Sequence, residues 1–271
     1  MLKVVIIFLR MLVRKVIYTI LNLFDHHKEK IPNLFLQIFK KHPNFLRKDK
    51  HRIRVCVNEI IRYLGLIDHL IEVGSERKIR HINPKIINVL RLGIYELVFD
   101  DITPDFAAIH SSVELAKKNI NKKSSSMVNA VMRNIQRVSQ KNKKWKMSLI
   151  KNKIDLAYPE WLLKKWEDEF GKDVTRNLCA EFLNKKDIFI RLDIDRYSVD
   201  KMLSVLSRSN IKVIQHNHFK LFFKVVTGQK NILGNNLFQE GIISIQDPAA
   251  GAVVELVNPQ KNDFILDVCA A

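Results

Sequence analysis

The sequence predicts a multidomain chain: an all-α helical bundle over residues 1–146, a small α/β domain over 147–240, and the first strand–helix–strand of a Rossmann-like domain over 241–271. Three observations carry this reading. Apolar residues recur at spacings of three and four through Val138, with no sustained alternation of period two. A lysine-rich run from Lys141 to Lys153 then reads as a linker. Beyond it, short β-branched and aromatic runs alternate with helical segments, the pattern of an α/β layer.

The first element is an amphipathic helix whose stripe is Leu9, Leu12, Val13, Val16, Ile17, Ile20 and Leu21. The apolar run before it is broken by Arg10, is followed by Arg14 and Lys15, and ends in no A-x-A-like cleavage site, so it predicts neither a signal peptide nor a membrane span. A basic loop over residues 40–54 leads to a second periodic segment near 53–73. Asn83 as N-cap and Pro84 at the first helical position open the next helix, striped by Ile86, Ile87, Leu90, Ile94, Leu97 and Val98. Thr103 and Pro104 repeat that start. The polar tract from Asn121 to Ser126 ends the helix begun there, and Met127 to Val138 forms another. After the linker, Tyr158-Pro159-Glu160-Trp161 opens a helix and 172–184 forms a second. Strands are expected at 188–194, 211–215 and 219–226, with a helix from Val199 to Leu206. A further strand near 242–245, a helix from Pro248 to Val257 and a buried strand from Phe264 to Val268 complete the chain.

Lysine and arginine number 46 against 28 aspartates and glutamates, giving +18 and a pI of about 9.8. Such a balance points to a polyanion, nucleic acid before an anionic membrane surface, and outweighs a drift of composition toward Lys, Asn and Ile. The three cysteines, Cys56, Cys179 and Cys269, form no C-x-x-C pair, which argues against a zinc knuckle or a disulfide framework and fits a reducing cytoplasm.

Two stretches carry a family likeness. Gln246-Asp247-Pro248-Ala249-Ala250, followed by Asp267-Val268-Cys269-Ala270-Ala271, resembles the entry to the catalytic domain of RNA cytosine-C5 methyltransferases. Val89 to Leu97, Asp100, Pro104, Ala107-Ala108, Val113 to Lys117 and Val128 to Arg133 closely resemble the NusB-type RNA-binding domain. Tyr158 to Leu162 and Arg191 to Asp193 resemble the segment joining the two. The order is that of the RsmB/Sun family of 16S rRNA (cytosine-C5) methyltransferases, and the likeness runs from about residue 55 onward. Glu59 to Arg62 stands where the family has a Tyr-Gly pair, and His110-Ser111 where it has Asn-Glu.

The resemblance implies S-adenosyl-L-methionine as cofactor, 16S ribosomal RNA as partner, no metal and no membrane. It places Cys269, Ala270 and Ala271 on the cofactor loop, and the chain is expected to be truncated there, since the family motif continues as Pro-Gly-Gly-Lys. The implied chemistry adds a cysteine thiolate to carbon 6 of cytosine, which makes carbon 5 nucleophilic toward the methyl group. Cys56 and Cys179 read as core thiols, so no catalytic residue is expected in this chain. The alternative from another class is a non-enzymatic NusB-type RNA-binding protein of transcription antitermination, against which residues 150–271 argue.

RNA contact is expected at Lys48, Lys50, Arg52 and Arg54, in a dense basic cluster, and at Arg133, Arg137 and Lys141, spaced along one helical face; a solvated surface is the competing reading for both. Trp161 and Trp166 read as core residues before base-stacking ones. Gly93 inside a helix implies a close helix approach.

Overall fold

The computed structural model describes residues 2–27, 29–141, 145–184 and 186–268. Its contacts gather into two compact units, Met1–Asn184 and Lys185–Ala271.

The first unit is helical throughout its described residues: α1 (Leu2–His27), α2 (Ile31–Lys41), α3 (Arg47–Arg62), α4 (Leu64–Ser75), α5 (Pro84–Ile94), α6 (Asp105–Asn119), α7 (Lys122–Lys141), α8 (Trp145–Lys153), α9 (Glu160–Phe170) and α10 (Lys172–Leu183). Each of the first seven gives one apolar stripe to a common core. Val13, Val16, Ile17, Ile20 and Leu21 of α1 are buried there with Ile53, Cys56 and Ile60 of α3, Leu90 and Ile94 of α5, and Val131 and Ile135 of α7. Burial of such stripes supplies roughly 1.5–3 kcal/mol for each large side chain, which is why 3.6-residue periodicity persists over the whole region.

Local signals set the helix ends. The Asn83 side chain accepts from the Lys85 N–H, as its N-cap role requires. The tract expected to end a helix instead starts one: the Asn121 side chain accepts from the Ser124 N–H and the Ser124 hydroxyl, capping α7. Its serines lie in the first turn, where their tendency to bond nearby backbone does no harm. α5 passes into a π-helical turn, Tyr95–Phe99, closed by the Asp100 N–H donating to the Tyr95 carbonyl.

The basic stretch expected to be a loop is α3 from Arg47 onward, so its cations stand at helical spacing. The linker expected at 141–153 is largely α8. A second core ties the segment after α8 to the bundle: Leu66 of α4 is buried with Ile154, Cys179 and Leu183, flanked by Tyr158 and Trp166. Residues on either side of 146 thus share contacts within the first compact unit.

The second unit contains β1 (Phe189–Leu192), α11 (Val199–Arg208), β2 (Lys212–Gln215), β3 (Phe222–Thr227), α12 (Asn236–Gln239), β4 (Ile243–Ile245) and α13 (Pro248–Val257). The strands form one antiparallel sheet in the order β2-β3-β1-β4. Ile190, Leu192, Phe223, Val225 and Ile243 point to one side and are buried with Met202 and Leu206 of α11. Residues on either side of 240 likewise share this sheet, because β4 pairs with β1.

The strand expected at 264–268 is not formed. Phe264, Ile265, Leu266 and Val268 are exposed and make no ladder among the described residues. Such an apolar strand is stable only between neighbours that satisfy its backbone and cover its faces. β4 is instead committed to β1.

Candidate nucleic-acid interface

The cations of α2 and α3 divide by what they touch. α3 buries Ile53, Cys56, Val57 and Ile60, so Arg47, Lys48 and Arg54, off that stripe, stand exposed. The Arg54 guanidinium lies 4.9 Å from the Phe39 ring centroid and 5.9 Å from that of Phe35; the Lys50 ammonium is 5.8 Å from Phe39. These rings hold the two side chains against α2 while their charge faces outward. Lys40 and Lys41, exposed in the last turn of α2, extend the same basic surface.

Arg52 faces inward. Its guanidinium donates to both Asp100 carboxylate oxygens, at 3.0 and 2.5 Å, and to the Thr103 hydroxyl at 3.3 Å. Behind it, Arg14 of α1 pairs with Glu96 and donates to the Ser112 hydroxyl at 2.8 Å. The π turn presents Glu96 and Asp100 to the two arginines. Burial pulls the Arg14 guanidinium down from its ordinary value to about 9, and the neighbouring charge of Arg52 acts in the same direction. For Asp100, burial acts upward, but hydrogen bonds from Arg52 and Thr103 and the Arg52 charge outweigh it, so the carboxyl titrates below its usual range. Arg14, Arg52, Glu96 and Thr103 line a cleft of about 560 Å³ together with Lys48. Arg52 is thus a structural ion-pair partner in this chain, and the RNA contact expected of it has a competitor already in place.

On α7, Arg133 and Arg137 are exposed, opposite the buried Val131, Met132 and Ile135. Arg133 donates to Gln136 at 3.0 Å and Arg137 to Asn134. Lys141 is the last residue of α7, and its side chain is outside the described ones. α3 rests on α1, and α7 on α6 and α4, so the two basic sets belong to different helix layers.

No reactive thiol is present among the described residues. Burial pushes the Cys56 thiol up to about 11 and raises that of Cys179, so both stay protonated core groups at neutral pH. No group of His, Cys, Asp and Glu with metal-binding geometry occurs among the described residues. Cys269, Ala270 and Ala271, expected on a cofactor loop, lie outside them. The described residues leading there do not fit such a site, since 263–268 forms no strand to deliver a turn to a ligand.

Sequence reasoning missed two features. The Arg14–Glu96 pair was signalled by single charges inside otherwise apolar stripes, a pattern that demands a buried partner. Trp161, expected in the core, is 69% exposed on α9, whereas Trp166 packs with Tyr158 and Phe182 as expected.

Residues 9–137 match the NusB family, and residues 158–224 match the ferredoxin-like domain of the Methyltr_RsmF/B-like group. A Bacillus subtilis (strain 168) protein named probable ribosomal RNA small subunit methyltransferase B is 30% identical over 199 residues, covering 72% of this chain and 43% of that protein. Its namesake from Synechocystis sp. (strain PCC 6803) is 30% identical over 236 residues, covering 86% of this chain and 52% of that protein. The chain spans about half the length of the curated relatives it matches. The crystal structure of PH0851 shares the fold with a TM-score of 0.52 at 17% identity, covering 92% of this chain and 56% of that one.

Proposed function

We propose, from the match of residues 9–137 to the NusB family and of residues 158–224 to the RsmF/B-like ferredoxin-like domain, that this chain is the RNA-binding portion of an S-adenosylmethionine-dependent enzyme that methylates carbon 5 of a cytosine in 16S ribosomal RNA. The carrying observation is the order of the two domains on one strongly basic chain. The Bacillus and Synechocystis relatives bear the name of a ribosomal RNA methyltransferase over this same stretch. A stand-alone NusB-type protein gives no reason for the second domain.

In this reading the cations of α2, α3 and α7 hold ribosomal RNA by its phosphates, with Lys48, Lys50, Arg54, Arg133 and Arg137 as the working set and Lys141 next in sequence on α7. The cleft arginines, Arg14 and Arg52, shape that surface from beneath. Methyl transfer belongs to the parent enzyme: the described residues provide neither a reactive thiolate nor a cofactor site. The ribosomal substrate puts the work in the cytoplasm. Among the described residues no helix is long and apolar enough to cross a membrane.

Neutralising phosphates releases counterions, so affinity for a 16S RNA fragment should fall by orders of magnitude between about 50 and 200 mM salt. Filter binding across that range is the test. A chain that holds no RNA at low salt, or whose affinity is flat with salt, refutes the proposal.

A further inference from the structure

The sheet of the second unit has two faces, and only one is spent on the core. On the other, β1 and β3 lie side by side at its centre, with Phe189 opposite Lys224 and Arg191 opposite Phe222. Direct partners in an antiparallel pair share a face, so a phenylalanine, an arginine and a lysine stand together across the two central strands. Arg191 is exposed, and Phe189 and Lys224 are half-buried. Phe222 is covered on this side by α13, where a Cβ on Gly251 would overlap its ring.

The aromatic surface continues onto the loop between β2 and β3. The Phe189 ring is 5.7 Å from His216, His216 is 5.1 Å from Phe219, and Phe219 is 6.0 Å from Phe222. The loop is pinned in this form, because the backbone N–H groups of His218 and Phe219 donate to His216 Nδ1 at 3.2 and 3.1 Å. Lys220 stands exposed beside the row. Lys224 is paired with Asp187 at 2.6 Å, with both side chains close to half exposed. Arg191 makes a long contact, 3.4 Å, to Gln246. Among these described residues, the face therefore offers three cations against one carboxylate, around rings held at fixed spacing.

We infer that this face binds single-stranded RNA, with bases stacked on Phe189, His216 and Phe219 and phosphates held by Arg191, Lys220 and Lys224. The inference rests on the reading of the chain as an RNA-binding protein and adds a second contact surface to it. Two physical features favour this occupant over a protein partner. Every base has a π-face, so a row of rings accepts unpaired bases whatever their sequence. The cations interleaved with the rings match the phosphate attached to each base. Aromatic side chains on the central strands of a four-stranded sheet stack two or three bases in the same way in other RNA-binding domains.

The test uses the full 271-residue chain and an unstructured, fluorescently labelled RNA of about ten nucleotides containing 4-thiouridine. Irradiation should cross-link it to peptides carrying residues 189–191 and 216–224. Arg191→Glu with Lys220→Glu, two exposed positions that leave the core intact, should weaken anisotropy-measured binding about tenfold, and Phe189→Leu, which keeps the packing, should weaken it severalfold. The double variant Arg133→Glu, Arg137→Glu, on the helical surface, should weaken binding while leaving the cross-links to residues 189–191 and 216–224 in place. Cross-links confined to α2, α3 and α7, with the sheet variants binding as the parent does, overturn this inference and leave the RNA-binding reading standing. No binding by the parent chain overturns both.

Discussion

Arg52 and Lys48 lie four positions apart on α3 and are equivalent RNA candidates in sequence, yet they have different work. Arg52 fills a fork of carboxylate oxygens on Asp100; Lys48 is exposed. Replacing Arg52 by Met leaves a carboxylate buried without its partner. With the Arg52 side chain a quarter exposed, we expect a cost of about 2 kcal/mol, less than for a fully buried pair, and a melting temperature lower by roughly 4–8 °C. Lys48→Met should leave melting unchanged within about 1 °C and weaken RNA binding. Thermal melts beside RNA titrations separate the two, and an unchanged melt for Arg52→Met would show that the Asp100 pair contributes nothing. The same pair predicts an acid response. Asp100 titrates below its usual range in the folded chain, so its contribution is complete above the ordinary carboxylate value of about 4 and is lost as pH falls through the lower folded value. Denaturant midpoints followed from about pH 7 to about pH 3 should fall less steeply in Asp100→Asn, which starts lower at neutral pH.

Between elements, glycines mark where backbones meet. A Cβ on Gly65 of α4 would overlap the Leu156 carbonyl in the 3-10 turn Ile154–Ala157. That turn carries Ile154 into the second core, so Gly65→Ala must push it off α4 at a cost of roughly 1–3 kcal/mol. Gly234→Ala, where nothing lies within 4 Å, is the matched control and should be close to neutral. Equal chemical-denaturation midpoints for the two variants would contradict the close approach. Gly93 was legible as such a contact, and a Cβ there would lie 2.5 Å from the Ser112 hydroxyl and 2.9 Å from the Met132 sulfur. Gly65 was not, because the segment it meets is distant in sequence. The same limit explains α3 and the cap of α7: a run of cations or serines is locally ambiguous, and tertiary burial of Ile53 and Val128 decides for helix.

Across the whole molecule, the helical bundle, its charge and the likeness of residues 9–137 to the NusB family were readable in the sequence, since 3.6-residue periodicity and single caps are local properties. The sheet was readable only as a set of strands. Their order depends on which edges meet, and β4, expected to open a new layer, closes the existing one against β1. The basic surface was readable as a cluster, but not its division into paired and exposed cations, which depends on Glu96 and Asp100 being turned inward by the π turn. Trp161 was misjudged because its spacing to Leu162 and Phe170 looks like a stripe, while Phe170 is itself exposed.

The consequence of β4's pairing can be measured at the other end of α13. Phe264, Ile265, Leu266 and Val268 remain exposed, as are Val253, Leu256 and Val257 of α13. Were the side chains of 264–268 buried, each would add roughly 1.5–3 kcal/mol, and removing them would unfold much of the unit. Exposed, they add no stability and present an apolar surface that soluble chains ordinarily cover. A variant ending at Asn258 should therefore melt within about 1 °C of the parent, bind markedly less of an apolar dye such as ANS, and stay soluble at higher concentration. It should also keep its affinity for RNA, because no cation of α2, α3 or α7 and no ring of the sheet face lies in the deleted segment. A drop of several degrees would mean that residues 259–268 are packed after all, and unchanged dye binding would place the apolar surface elsewhere on the molecule.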